Sequence, residues 1–356
     1  MSEARTEVST GEVHTFDAAE VADHGARILE ALGVPTAHAS LVAESLVTSD
    51  MWGHPSHGML RLPWYTARLQ SGVMEPVTDT EIVSTFGAVT VLDGREGIGQ
   101  VVTDTAIQLA GDAAKIHGVG VVAVRNSNHF GTAAYWTRRL AERGCVGILT
   151  TNGSPAMAPW GSKDKMIGAN PWSIAVPSGS YGSVVLDIAN TGVARGKVYA
   201  ARERGQRLPD GWAIDADGLP TNDPQAAIDG IILPMAGHKG YAISFMMDVL
   251  SGVLTGSSYA TGIVGPFVPD RRSGCGHLVL AIDIEAIAPR EEFDARMDDL
   301  IEAVHRSNPI PGGRIFVPGE IENEAVEKSG GSITLPAQTV AELATLAASL
   351  GVDGLK

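Results

Sequence analysis

The chain has only two cysteines in 356 residues, Cys145 and Cys275, both in apolar contexts. That excludes a disulfide framework and leads us to expect a reducing, cytoplasmic setting. Positive charge is also scarce. Twenty-six lysines and arginines against 41 acids give 26 − 41 = −15, which argues against nucleic acid or an anionic membrane surface as partner. No apolar run approaches the roughly 18 residues of a spanning helix, so no membrane insertion is expected. Residues 1–14 are polar and acidic, without the apolar core of a secretory signal, and the first dozen are expected to fray. The Gly-x-Gly-x-x-Gly fingerprint is missing too. Gly97-Ile98-Gly99 runs into Gln100-Val101-Val102 with no third glycine and no apolar strand before it. An ordinary Rossmann domain is therefore not supported.

What is present is an α/β chain long enough for two or three domains, with 44% hydrophobic residues. Asp17 and Glu20 read as a capping box for a helix that stops at Gly33. A second helix runs to about Trp52, and a third begins near Pro63 and stops at Ser71-Gly72. Residues 82–92 read as a hairpin and 98–117 as a helix. Apolar strands are expected at 119–124 and 146–150, joined by a loop and a helix into a unit with a parallel strand pair. Further strands are expected at 172–176, 183–188 and 278–284, and helices at 239–255, 292–306 and 338–350.

The densest chemistry lies at 53–61, Gly-His-Pro-Ser-His-Gly-Met-Leu-Arg. Gly53 and Gly58 bracket a tight loop that holds Ser56 and His57. His57 suits proton transfer to or from a substrate oxygen or imine nitrogen, and Ser56 suits orienting it. Arg61 suits a bidentate grip on a carboxylate. The bland alternative is a surface loop with a helix-capping histidine. His54 and His57 are also three apart, which raises a metal-dependent hydrolase using both with Asp187. No cysteine pair or His-Glu-x-x-His supports it, so no metal is expected.

Three other segments stand out. Asn126 to Gly131 lies between a strand and a helix start, where an anion fits, and His129 is its most reactive member. Asp187 sits among apolar β residues, where a carboxylate is costly unless paired. It suits holding an imidazole or, equally, capping the turn at Thr191-Gly192. Gly237-His238-Lys239-Gly240 opens an apolar helix with a cation and suits a nucleotide phosphate or a solvated cap. Gly168-Ala169-Asn170-Pro171 and Pro318-Gly319-Glu320 are turns that say little by themselves.

Taken in order, these motifs resemble the malate/L-lactate dehydrogenase family, which includes sulfolactate, ureidoglycolate and diketogulonate dehydrogenases and piperideine-2-carboxylate reductases. The likeness spans nearly the whole chain, with Leu186-Asp187-Ile188-Ala189 and Ala194-Arg195-Gly196-Lys197 between the segments above. It implies a non-Rossmann NAD(P)-binding sheet domain, a helical N-terminal domain and a discontinuous substrate domain. We place these at 126–284, at 15–75 with 285–310, and at 76–125 with 311–356. It also implies NAD or NADP as cofactor, a small carboxylic acid as substrate and a homodimer. The reaction implied is hydride transfer at C2 of a 2-hydroxy or 2-oxo acid, with a cyclic imine carboxylate as the alternative. By the same resemblance an imidazolium at His57 gives the proton, with Ser56 and Asp187 as relay partners, and His129 is a second acid–base candidate. Arg61 holds the substrate carboxylate. His129, Phe130, Gly131, Thr132, Ala133, Asn170, Pro171, His238, Lys239, Pro318, Gly319 and Glu320 match cofactor-contacting positions. The chain departs from the family at Trp52, where an arginine is common, and at His54-Pro55, which makes His54 a substrate-edge residue.

Overall fold

A computed structural model describes residues 12–355. The expectation of a frayed first dozen lies outside that range, except for Glu12. Strand β1 (Val13–Asp17) leads into α1 (Ala18–Ala31), whose first-turn amides at Ala19 and Glu20 are capped by the Asp17 carboxylate. Helix α2 (Thr36–Met51) follows, then a loop of two 3₁₀ turns, then α3 (Leu62–Ser71), which Gly72 ends in the left-handed conformation.

Next come β2 (Glu81–Phe86), β3 (Val89–Asp93), α4 (Gly99–His117), β4 (Val119–Ser127), α5 (Ala133–Glu142) and β5 (Cys145–Thr151). Two short strands, β6 (Pro155–Met157) and β7 (Ile167–Gly168), pair with each other before β8 (Trp172–Pro177) and β9 (Ser183–Ile188). Helix α6 (Arg195–Glu203) opens a small lobe with β10 (Ala213–Ile214), β11 (Pro220–Thr221), α7 (Pro224–Asp229) and β12 (Ile231–Ile232). The chain ends with α8 (His238–Asp248), β13 (Cys275–Asp283), α9 (Arg290–His305), α10 (Glu320–Ser329), β14 (Ser332–Pro336) and α11 (Ala337–Ser349).

Seven strands form the central sheet in the order β2-β3-β4-β13-β5-β8-β9. This corrects the expected parallel pair. Strands β4 and β5 run the same way, but the late strand β13 lies between them and is antiparallel to both. A strand from 130 residues downstream leaves no local signal in the β4–α5–β5 stretch. The parallel pair is instead β3 with β4. The mixed order differs from a doubly wound sheet and agrees with the missing dinucleotide fingerprint.

The apolar faces of α4 and α5 cover one side of the sheet, with Ile107, Ala110, Trp136 and Leu140 fully buried against Val122, Leu149 and Val279. A second core joins α1, α2 and α3 to the C-terminal Ile333, Leu335 and Leu343. The expected helix over 239–255 breaks into α8 and a π-helical turn, Val249–Val253. There Ser251 Oγ meets Thr150 Oγ1 at 2.8 Å, a polar tie to the sheet that an apolar pattern does not reveal.

Candidate active site

The loop after α2 is held from beneath. Asp50, in the last turn of α2, accepts the Met59 amide on Oδ2 at 2.8 Å. A Cβ on Gly58 would fall 2.1 Å from Asp50 Oδ1, so only glycine lets the chain pass over this carboxylate. Burial raises the Asp50 pKa to about 7. Pro55–His57 and Met59–Arg61 form the two 3₁₀ turns, and Arg61 Nε donates back to the Ser56 carbonyl. Ser56, His57 and Arg61 thus share one compact loop.

The second component is the end of β4. The Asn128 amide donates to the carbonyls of Glu96 (3.1 Å) and Gly97 (2.9 Å), and its oxygen accepts from the buried Arg68 at 3.0 Å. This fixes the next residue, His129, over the first loop. The His57 and His129 rings lie nearly parallel, 18° apart with centroids 5.7 Å apart. Each ring is bound at Nδ1, His57 to Ser56 Oγ at 2.9 Å and His129 to the Tyr65 hydroxyl at 2.7 Å. Among the described residues neither Nε2 has a hydrogen-bond partner.

Burial and the nearby Arg61 lower the His57 pKa to about 3. The same causes, with His57 and the buried His277, hold His129 well below the usual histidine range. Both rings are therefore neutral at pH 7. The resemblance implied an imidazolium at His57. The difference arises because the loop encloses the ring beside a fixed cation. Arg61 stacks on the Trp64 ring at 4.1 Å and has no carboxylate partner among the described residues, so its terminal NH₂ groups are free to take an anion.

Two expected partners lie elsewhere. Asp187 Oδ2 accepts the Ala134 amide at 2.8 Å, at the start of α5. It makes no hydrogen bond to His57, and burial raises its pKa to about 6. A strand-end carboxylate beside an uncapped helix start is drawn to those amides, so Asp187 anchors the start of α5. His54 turns its Nε2 to Glu322 at 3.3 Å, and the Arg138 guanidinium lies 5.0 Å from the ring of Trp52. His54, His57 and Asp187 do not converge on a common point.

The other expected positions divide. Phe130 is buried and meets His277 edge-on at 4.7 Å, and Gly131 adopts φ +84°. Thr132 is buried, 3.4 Å from Ser49 Oγ, and Ala133 begins α5. Asn170 is fully engaged within the protein, accepting the Gly153 amide at 3.0 Å and donating to the Ser244 carbonyl at 2.9 Å. The Pro171 carbonyl accepts from Thr151, and that of Pro318 accepts from Val185. Gly319 has φ +90°, and Glu320 accepts the Val317 amide and meets His305 at 3.1 Å. His238 and Lys239 are exposed at the start of α8, where no side chain caps the first amides.

Sequence reasoning missed Tyr65 and Asp50. The signal for Tyr65 was its place four residues after Arg61 in a helix, which puts the two on one face. Asp50 had no such signal, because its target lies across a turn.

The sequence profile of the malate/L-lactate dehydrogenase family matches residues 16–344, and the chain belongs to that family. It is 40% identical over 305 residues to the L-sulfolactate dehydrogenase of Methanocaldococcus jannaschii, covering 85% of this chain and 88% of that one. The solved structure of the sulfolactate dehydrogenase from that organism superposes with a TM-score of 0.91 at 36% identity, over 96% of this chain and 98% of that chain. A (2R)-3-sulfolactate dehydrogenase (NADP(+)) of Chromohalobacter salexigens is 35% identical over 90% of this chain and 94% of its own length. A ureidoglycolate dehydrogenase (NAD(+)) of Escherichia coli is 32% identical over 81% and 82%.

Proposed function

We propose that the chain exchanges a hydride between NAD(P) and C2 of a small 2-hydroxy/2-oxo acid, of the sulfolactate or malate type. The observation that carries this reading is the pair of parallel imidazoles beside the free end of Arg61. Such a site can grip a carboxylate and handle the proton of a neighbouring hydroxyl at the same time. The names of the relatives support the substrate class and leave both cofactors in play.

The chain's residues fit a dinucleotide. Helix α8 begins with exposed Lys239 and amides that no side chain caps, a start suited to a phosphate. Gly240 lets the helix start press on the chain behind it, where a Cβ would fall 2.3 Å from the Met235 carbonyl. His238 and Lys239 would hold the cofactor's phosphates, and by the family likeness the His129 to Ala133 segment and the Pro318–Gly319 turn would also contact it. When bound, nicotinamide supplies or takes the hydride at C2.

Arg61 orients the substrate through its carboxylate. In the oxidation direction neutral His57 takes the hydroxyl proton on Nε2, while Nδ1–H donates to Ser56 Oγ. In reduction the proton returns from the same nitrogen. A bound carboxylate offsets the Arg61 charge that disfavours imidazolium, so substrate binding and protonation of His57 assist each other.

A second copy of the chain is the proposed partner. This is supported by the exposed apolar row Phe245, Met246, Val253 and Leu254 along α8 and its continuation. A cytoplasmic setting is supported by two free, buried cysteines. Among the described residues no helix is long and apolar enough to cross a membrane.

The test is a panel of 2-oxo acids and cyclic imines with NADH and NADPH, read at the nicotinamide absorbance. Oxidation with 3-sulfopyruvate or oxaloacetate is the expected result. Turnover confined to cyclic imines, or none with any member, overturns the assignment.

A further inference from the structure

The two catalytic imidazoles are held at Nδ1 by partners of different kinds. Ser56 offers His57 a rotatable hydroxyl, able to donate or accept. His129 Nδ1 faces the Tyr65 hydroxyl at 2.7 Å and also the Gly131 backbone N–H at 3.2 Å. A backbone N–H can only donate, so this long contact biases the nitrogen towards accepting, with the ring proton on Nε2, but only weakly by itself.

We propose that Tyr65 is a positioning residue that locks His129 in the Nε2–H form, making His129 a fixed hydrogen-bond donor to the substrate oxygen and leaving proton transfer to His57. The proposal rests on the dehydrogenase reading above and deepens it.

Three observations carry it. Tyr65 is only 2% exposed and sits on α3, whose N-terminal boundary residue is Arg61, so the phenol lies about one turn from the carboxylate grip. Burial raises the phenol pKa well above its ordinary value, so Tyr65 keeps the proton it needs in order to donate. The groups facing His129 are Arg61, His57, His277 and Tyr65, none of them anionic, so nothing nearby favours a charged ring.

The oxidation step then balances as follows. The substrate O–H bond breaks and its proton goes to His57 Nε2. The C2–H bond breaks and the hydrogen leaves with its electron pair as hydride, which a bound oxidised nicotinamide would accept, and the C2–O bond becomes a carbonyl. The His129 Nε2–H bond stays intact and stabilises the charge that develops on the oxygen.

Nitrogen-15 NMR of the histidine rings tests the lock without turnover, with His129→Gln identifying the signal. The expected result is an unprotonated Nδ1 and a protonated Nε2 in the wild type, and a mixture of tautomers in Tyr65→Phe. A protonated Nδ1 in the wild type, or an unchanged tautomer in Tyr65→Phe, overturns the proposal. Kinetics gives the second arm. Glutamine keeps an N–H donor but cannot carry a proton. His129→Gln should therefore keep the wild-type ionisation limb in its pH–rate profile, with kcat lowered roughly 10–100-fold. Loss of that limb would make His129 the proton carrier. If no acid turns over with either cofactor, the dehydrogenase reading fails, while the NMR still decides the tautomer.

Discussion

His54 and His57 lie three residues apart and meet opposite fates. Among the described residues His57 is bound only at Nδ1, and its Nε2 has no partner. His54 has its Nε2 taken by Glu322 of α10, in a cluster that also holds Arg138 and Asp187. The first cluster leaves donors and acceptors unspent, which is what a substrate requires. The second spends them on holding α5, α10 and the loop together. On the proposed function, chemistry-bearing residues close in sequence separate into a reacting layer and a supporting layer, and Nε2, open in His57 and taken in His54, tells them apart.

The sharpest way to break this comparison is His57→Ala. Turnover should fall roughly 10²–10⁴-fold with cofactor binding retained, measured by steady-state kinetics and NADH fluorescence titration. Intact turnover would move the proton transfer out of the first layer. Arg61→Lys comes next. It exchanges a forked grip for a point charge, so KM for the 2-oxo acid should rise about 10-fold or more. An unchanged KM would make Arg61 a loop brace through its bond to the Ser56 carbonyl.

The sequence makes the reacting layer more legible than the supporting one. Ser56, His57 and Arg61 declare themselves because local turns hold them and glycines bracket them. His129 is readable as a loop histidine after an apolar strand. The strands and helices of the main sheet follow from period and punctuation, but the place of β13 does not, since its pairing partners are remote in sequence. Asp187 reads as a buried carboxylate in need of a partner. Whether that partner is an imidazole or the amides of α5 is decided only by how α5 packs on β9. Asp50 and Glu322 are invisible for the same reason, because their partners come from chain crossings that no local pattern encodes.

The nucleotide side contrasts with both layers, since His238 and Lys239 are exposed and preorganised by little besides the helix start. Lys239→Ala should raise the cofactor KM roughly 10-fold, about 1.4 kcal/mol, and leave the substrate KM unchanged. An effect on the substrate alone would place the phosphates elsewhere.

Asp50 separates stability from chemistry. Its folded pKa is raised to about 7, above its ordinary value of 3.8. A raised carboxyl contributes stability that is fully present below about pH 4 and is lost as pH climbs through 7. His57 runs the other way: with its pKa lowered to about 3, it loses stability as pH falls below its ordinary 6.5. In Asp50→Asn the amide oxygen still accepts from Met59 and nothing ionises at that position. The variant should gain on the order of 2 kcal/mol relative to wild type between pH 4 and 8, read from denaturant midpoints. A parallel pH dependence in the two proteins would show that this carboxylate does not control it.

The smallest effect belongs to His54→Ala. The pair with Glu322 is partly exposed, with side-chain exposures of 34% and 26%, so its removal should cost about 0–1 kcal/mol. Turnover should stay within about threefold of wild type, because His54 Nε2 is committed to Glu322. The substrate panel gives this variant its discriminating power. If specificity among 2-oxo acids shifts while stability holds, His54 borders the pocket after all, and the line between the two layers runs through it. If neither moves, the line falls between residues 54 and 57, and the Glu322 contact serves only to seat α10 against the loop.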